Sequence, residues 1–168
     1  EVTFASLPTV EARPKTAGKS DDESSVAVAV PNAAQLAYQN LELGVMITYN
    51  IGLYGTKHDN YACAARSMPP SAFSPNGTID TDQWLASTKA LGASYALLTT
   101  QAGCGFLLWP TEVRHTGGPL AGQRYNQTVR ESGYAGGDLV KQFVRSCAKF
   151  GIKPAFYYIA ATNKYCSV

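Results

Sequence analysis

Three short apolar runs, at 44–50, 94–100 and 152–160, constrain this chain more than any other feature. Each is nearly continuous in its apolar character, the pattern of a strand buried on both faces, as in a parallel sheet. Between them lie two segments of helical period, 80–91 and 138–150. Asp80 is an N-cap candidate with Gln83 at the third helical position, a capping-box arrangement. Trp84, Leu85, Thr88 and Leu91 then recur at helical spacing, and Gly92 supplies the stop. In the second segment Asp138 precedes Leu139, Val140, Phe143, Val144 and Cys147 on one face, and Gly151 ends it.

The order is therefore strand, long loop, helix, strand, long loop, helix, strand. Helical crossovers of this length imply parallel strands with right-handed connections. Both long loops, 51–79 and 101–136, leave the carboxyl ends of strands, whereas the returns from helix to strand are tight. That asymmetry suits a barrel with one active-site face, although a doubly wound sheet would alternate in the same way. A short helix, 32–41, opens after Pro31, with Leu36 and Tyr38 on its expected inner side.

The first 31 residues read differently. Pro8, Pro14, Gly18 and the polar run from Lys19 to Ser25 leave few large apolar side chains, so this is a flexible amino-terminal tail, and 32–168 is the folded part. Residues 25–30 alternate and could add an edge strand. The chain begins at Glu1, which implies a removed leader or a longer parent.

Composition excludes several classes. The 168 residues are 45% hydrophobic and only 15% charged, enough for one real core. A net charge of +2 is too small to suggest nucleic acid or an anionic membrane as partner. No run approaches the ~20 apolar residues of a membrane span. Two sequons, Asn76-Gly77-Thr78 and Asn126-Gln127-Thr128, fall in expected surface loops and point to an extracellular or lumenal setting, with both asparagines as glycan acceptors. Four cysteines in that setting favour disulfides over metal. Cys63, Cys104 and Cys166 fall in loops on one face of the sheet, whereas Cys147 sits on the apolar side of a helix. His58 and His115 stand alone, so no metal site is expected.

Several stretches, taken in order, resemble the α-L-fucosidase family of glycoside hydrolases. They are Ala34-Gln35-Leu36-Ala37-Tyr38-Gln39 with Leu41-Glu42-Leu43, Phe73-Ser74-Pro75 with Asp82-Gln83-Trp84, and Gly105-Phe106 with Leu108-Trp109-Pro110-Thr111. Gly136-Gly137-Asp138-Leu139-Val140 and Gly151-Ile152 with Tyr157 complete the series. The resemblance covers about 33–161 and implies the first three βα units of a (β/α)8 barrel of TIM type. Three strands cannot close a barrel of ~250 residues, so the partner expected is the remaining barrel segment, on this polypeptide or another.

The resemblance also implies where sugar contacts belong. The family's histidine near the end of the first strand is Thr48 here, and the lysine before its histidine pair is Gln101. The pair itself is Ala102-Gly103, and the family's next aspartate is Cys104. Thr48, Gln101, Phe106 and Trp109 are the candidate sugar contacts, Trp109 the best because the family keeps Trp-Pro. Tyr49, Tyr54 and Tyr61 are weaker stacking candidates. The nucleophilic aspartate of the family comes from a later strand, and Asp59, Glu112 and Asp138 match no family motif, so no catalytic residue is assigned. A disulfide at Cys104 would fill the family's aspartate position. The expectation is a secreted, catalytically inactive relative with a structural, assembly or glycan-binding role. The alternative is the first part of an active retaining glycosidase. Neither implies a cofactor.

Overall fold

The computed structural model describes residues 29–55 and 68–166. The chain divides into two units, Glu1–Pro31 and Asn32–Val168. Of the first, only 29–31 are described, and they are exposed. Most of the alternating stretch at 25–30 lies outside the described residues.

In the second unit, helix α1 (Ala33–Gln39) starts at a reciprocal cap, because Asn32 and Gln35 each accept the other's backbone N–H, at 2.9 and 2.8 Å. None of its residues is buried, and Leu36 and Tyr38 are exposed, against the expected inner side. Among the described residues Tyr38 meets only the Tyr95 ring, 5.8 Å away, which leaves most of its surface open.

Strand β1 (Gly44–Ile47) leads to a 3-10 turn, Ile51–Tyr54, and a second such turn spans Pro70–Ala72. Helix α2 (Thr81–Ala90) is capped by the Asp80 carboxylate on the Gln83 N–H at 2.9 Å. Strand β2 (Tyr95–Gln101) follows. The second long segment contains a one-turn helix, α3 (Val129–Ser132), which the sequence did not reveal. Helix α4 (Leu139–Phe150) runs from the Asp138 cap to Gly151, whose φ of 66° a side-chain-bearing residue rarely adopts. Strand β3 (Lys153–Tyr158) completes the sheet.

The three strands form one parallel sheet in the order β1-β2-β3, with Gly44 opposite Tyr95 and Tyr95 opposite Lys153. Gly44 is required there. A β-carbon would fall 2.1 Å from Cζ of Tyr95, whose ring lies across the neighbouring strand. Side-chain alternation sends Val45, Ile47, Ala96, Leu98 and Phe156 toward the helices. Val45 and Ile47 share a groove with Trp84 and Thr88, and Phe156 meets Phe143 at 6.3 Å. Helices α2 and α4 are tied by a polar chain: Thr81 donates to Ser146 at 2.7 Å and Ser146 to Asp82 at 2.5 Å.

The core joins Leu85, Ala96, Leu98, Leu139, Phe143, Cys147 and Ile152 to residues from both long segments: Ile51, Phe73, Phe106, Leu108 and Val129. β2 comes nearest to the expected buried strand: Ala96 and 98–101 are buried, but Tyr95 and Leu97 only partly so. In β3, Phe156 and Tyr158 are 50% and 53% exposed, and in β1 Met46 is 52% exposed. Both strands are edges, and the sheet face carrying Met46 and Tyr157 is only partly covered: Tyr38 meets Tyr95 at one end and Thr99 is buried at the other, while Met46 and Tyr157 stay exposed. The architecture is thus a small α/β layer with a parallel three-stranded sheet; a closed barrel is not formed by these residues.

Candidate functional site

At the carboxyl end of β2 the chain does not run out into solvent. Leu108 N–H returns to the Thr100 carbonyl at 3.1 Å and Leu107 N–H to the Gln127 carbonyl at 2.8 Å. Leu108 in turn accepts from Leu139 N–H at 3.1 Å. The segment 102–108 therefore folds back as a plug, and every one of its residues is buried. Gly105 makes the reversal at φ 83°, and its carbonyl accepts from the Tyr125 hydroxyl.

This plug changes the standing of the expected sugar contacts. Phe106 is 1% exposed, with its ring 5.0 Å from that of Phe73; it is a core residue and cannot meet a ligand. Tyr49 and Tyr54 belong to the same aromatic cluster around Phe73, and burial together with their mutual hydrogen bond raises the Tyr49 phenol well above its ordinary pKa. Gln101 is also 1% exposed. Its Oε1 accepts from Ile159 N–H at 3.1 Å, which ties the ends of β2 and β3 together. Gln101 Nε2 and Thr99 Oγ1 are buried without hydrogen-bond partners among the described residues.

Two of the four expected contacts stay accessible. Thr48 is exposed just beyond β1. Trp109 is half-buried at the rim of the plug, its ring 6.3 Å from Tyr158 at the end of β3. Because β1 and β3 flank β2, Thr48 and the Trp109–Tyr158 pair sit at opposite edges of the sheet. Tyr158 escaped the sequence reading because nothing in its run distinguishes an edge strand from a central one.

The carboxylates of the described residues have other duties. Asp80 and Asp138 cap helices, and Asp82 pairs with Lys149. Glu112 pairs with Arg130 at 2.5 Å, and that hydrogen bond holds its carboxyl below the usual range. Glu131 is opposed by burial, but the Thr128 hydroxyl and Arg124 outweigh this and lower it. Glu42 stands before β1, at the other end of the sheet, with φ 55°. None of these is an unpaired carboxylate at a strand's carboxyl end. Asp59, Tyr61, His58 and Cys63 lie outside the described residues.

Cys104 is wholly buried and disulfide-bonded. Cys147 and Cys166 are free, so Cys166, expected in a disulfide, is instead an exposed thiol on the 164–166 turn. The physical reason is local: Asn163 Oδ1 accepts from the N–H groups of both Tyr165 and Cys166, holding that turn at the surface. The sequon asparagines are both exposed; Asn76 lies in a bend, and Asn126 Oδ1 accepts from the Tyr165 hydroxyl at 2.5 Å. Among the described residues there is no cluster able to hold a metal ion, and no helix long and apolar enough to cross a membrane.

A parallel sheet with two helices packed on one face and loop-borne aromatics at its carboxyl end makes this chain a small α/β layer of strand–helix repeats. No family model and no curated protein sequence matches the chain. Solved structures do. A protein assigned as an α-L-fucosidase from Bacteroides thetaiotaomicron VPI-5482 aligns over 83% of this chain with 26% identity and a TM-score of 0.66. One from Bacteroides ovatus ATCC 8483 aligns over 80% with 26% identity and 0.62. A glycoside hydrolase 29 family member from an unknown rumen bacterium aligns over 77% with 26% identity and 0.58. The chain is thus α-L-fucosidase-like in structure. It spans 30%, 21% and 21% of those three proteins, about a quarter of their length.

Proposed function

We propose that this chain is the opening part of an α-L-fucosidase-like barrel that carries no fucosidase activity of its own and serves as an assembly or glycan-binding element in a secreted glycoprotein. The observation that carries this is the plug after β2. Where a hydroxyl-reading site would need donors facing a ligand, Ala102, Gly103 and Cys104 are buried against the core. Each missing hydrogen bond removes about 1 kcal/mol of net affinity, more where a partner is left unpaired. Retaining glycosidases also need two carboxyls ~5–5.5 Å apart, and the carboxylates of the described residues cap helices, pair with cations or stand at the far end of the sheet. A Cys63–Cys104 disulfide would lock the plug to the first long loop, and glycans at Asn76 and Asn126 would accompany secretion. The exposed part of the sheet face around Met46 and Tyr157 and the two edge strands suit completion by further barrel strands.

The test is hydrolysis of an aryl α-L-fucoside by the purified 168-residue chain. No turnover above buffer is expected, and stoichiometric release of the aryl alcohol would end this reading. A second reading rests on the chain's spanning only about a quarter of its structural neighbours. In it the chain opens an active glycosidase whose nucleophile lies elsewhere. Denaturing mass measurement of native, deglycosylated material, with and without reductant, separates the two: a much heavier species that cleaves the fucoside favours the second.

A further inference from the structure

The two sequons share one chemistry, but the fold treats them differently. At Asn76-Gly77-Thr78 all three residues are exposed. The loop is anchored on either side, by buried Phe73 and by Ile79 N–H, which donates to the Tyr134 hydroxyl at 3.0 Å. Between those anchors, Asn76, Gly77 and Thr78 make no hydrogen bond among the described residues. Gly77 makes the bend at φ 82°, with no atom within 4 Å of where a β-carbon would stand.

At Asn126-Gln127-Thr128 only the first residue is exposed; Gln127 and Thr128 are 2% and 0% exposed. Their backbone is paired with the plug. Leu107 N–H donates to the Gln127 carbonyl at 2.8 Å, and Val129 N–H to the Leu107 carbonyl at 3.0 Å. The Thr128 hydroxyl is committed to the cap of α3, donating to Glu131 at 2.5 Å and accepting from Arg130 N–H at 3.2 Å. Asn126 itself is tethered, since its Oδ1 accepts from the Tyr165 hydroxyl at 2.5 Å. Tyr165 in turn stands edge-on to Tyr125, 5.2 Å away, and His115 stacks on Tyr125 at 5.4 Å.

We propose that the folded chain offers Asn76 to N-glycan transfer and withholds Asn126, which accepts a glycan only before Thr128 is buried. In the transfer, the asparagine Nδ2 bonds to the anomeric carbon of a lipid-pyrophosphate-linked oligosaccharide and gives up one proton, and the lipid pyrophosphate leaves. The acceptor signal is the asparagine amide together with the hydroxyl two residues on, so the transferase has to reach both. At Asn76 nothing in the fold has to break. At Asn126 the pairing with Leu107, the α3 cap and the burial of Gln127 must all be undone, and local openings that break backbone bonds and core contacts together are rare. A glycan on Asn126 therefore dates from before the plug closed, whereas Asn76 stays open to transfer afterwards. This inference rests on the reading of the chain as a secreted glycoprotein for its place in the cell. The transfer is tested in vitro, where its outcome does not depend on secretion, so the failure of one is distinct from the failure of the other.

The full 168-residue chain, made without glycans and folded, is incubated with a eukaryotic single-subunit oligosaccharyltransferase and a lipid-pyrophosphate-linked oligosaccharide. Synthetic peptides of 71–81 and 121–131 give the rate of each sequon without the fold, and peptide mapping by mass spectrometry gives the occupancy of each site. Relative to its peptide, Asn126 in the folded chain is expected to be slowed by about tenfold or more, and Asn76 by much less. Gly105→Ala, which loosens the plug, is expected to raise the rate at Asn126 and leave that at Asn76 unchanged. Similar slowing at the two sites overturns the proposal, as does greater slowing at Asn76. No rise at Asn126 in a Gly105→Ala chain of demonstrably lowered stability overturns it too.

Discussion

Gly105 faces Asn163 so closely that a β-carbon on the glycine would sit 2.2 Å from Asn163 Oδ1, with Tyr125 Oη at 2.8 Å and Tyr165 Cβ at 2.9 Å. The reversal that seals the plug thus depends on having no side chain, and its φ of 83° makes the same demand independently. Gly105→Ala is expected to lose about 1–3 kcal/mol from backbone strain alone, with further loss from displacing the 163–166 turn. Urea unfolding of the two proteins measures the difference; equal midpoints would contradict this account of the turn.

Phe106 and Trp109 are three residues apart but belong to different environments, one sealed and one at the rim. Phe106→Ala opens a cavity beside Phe73 and is expected to cost about 3–5 kcal/mol. Trp109→Ala removes only a partly exposed ring and is expected to cost much less. Paired thermal melts decide it, and a larger effect at Trp109 would mean the plug is not part of the core.

The Asp82 carboxylate links α2 to α4 through Lys149 and Ser146, and those two hydrogen bonds hold its pKa below the ordinary carboxylate value. A group depressed on folding stabilises the protein above its unfolded pKa and loses that contribution as pH falls through the folded one. Wild type is therefore expected to exceed Asp82→Asn in stability near neutrality. The gap should close as the pH drops below about 4, the unfolded value for aspartate. Chemical denaturation across a pH series reads this directly; a gap that widens in acid would refute the pairing.

Cysteine chemistry should separate along the same inside–outside divide. Burial pushes the Cys147 thiol up to about 11, whereas Cys166 is exposed and raised only by partial burial. Iodoacetamide at mildly alkaline pH is expected to label Cys166 in the native protein and Cys147 only after unfolding. Peptide mapping by mass spectrometry gives the answer; native labelling of Cys147 would show that α4 does not pack as described.

Periodicity and capping signals carried the fold well where a signal is local. Asp80, Asp138 and Gly151 cap their helices as the sequence suggested, although the box expected at Asp80 is only half formed because the Gln83 side chain turns to Ser87, and the parallel order follows from strand–helix alternation. What stayed hidden depends on the neighbours a residue has. The apolar character of 152–160 looks the same whether a strand is central or at an edge, so the exposure of Phe156 and Tyr158 could not be foreseen. The site suffered likewise. Phe106 and Trp109 share one motif, and only the return of Leu107 and Leu108 to Gln127 and Thr100 shows which of them is turned inward. The His115–Tyr125–Tyr165 cluster draws on residues up to 50 positions apart with no shared pattern.

The Gly44–Tyr95 register fixes how the sheet would report on its own breathing. Amide protons of β2, flanked on both sides and buried, should outlast those of β1 and β3 in deuterated water, because each outer strand has one neighbour and much of its surface wet. Strand pairing in this chain is therefore a gradient from a slow centre to quick margins, and whatever seats itself along β3 would be read first as a slowing of exchange at Phe156, Tyr157 and Tyr158.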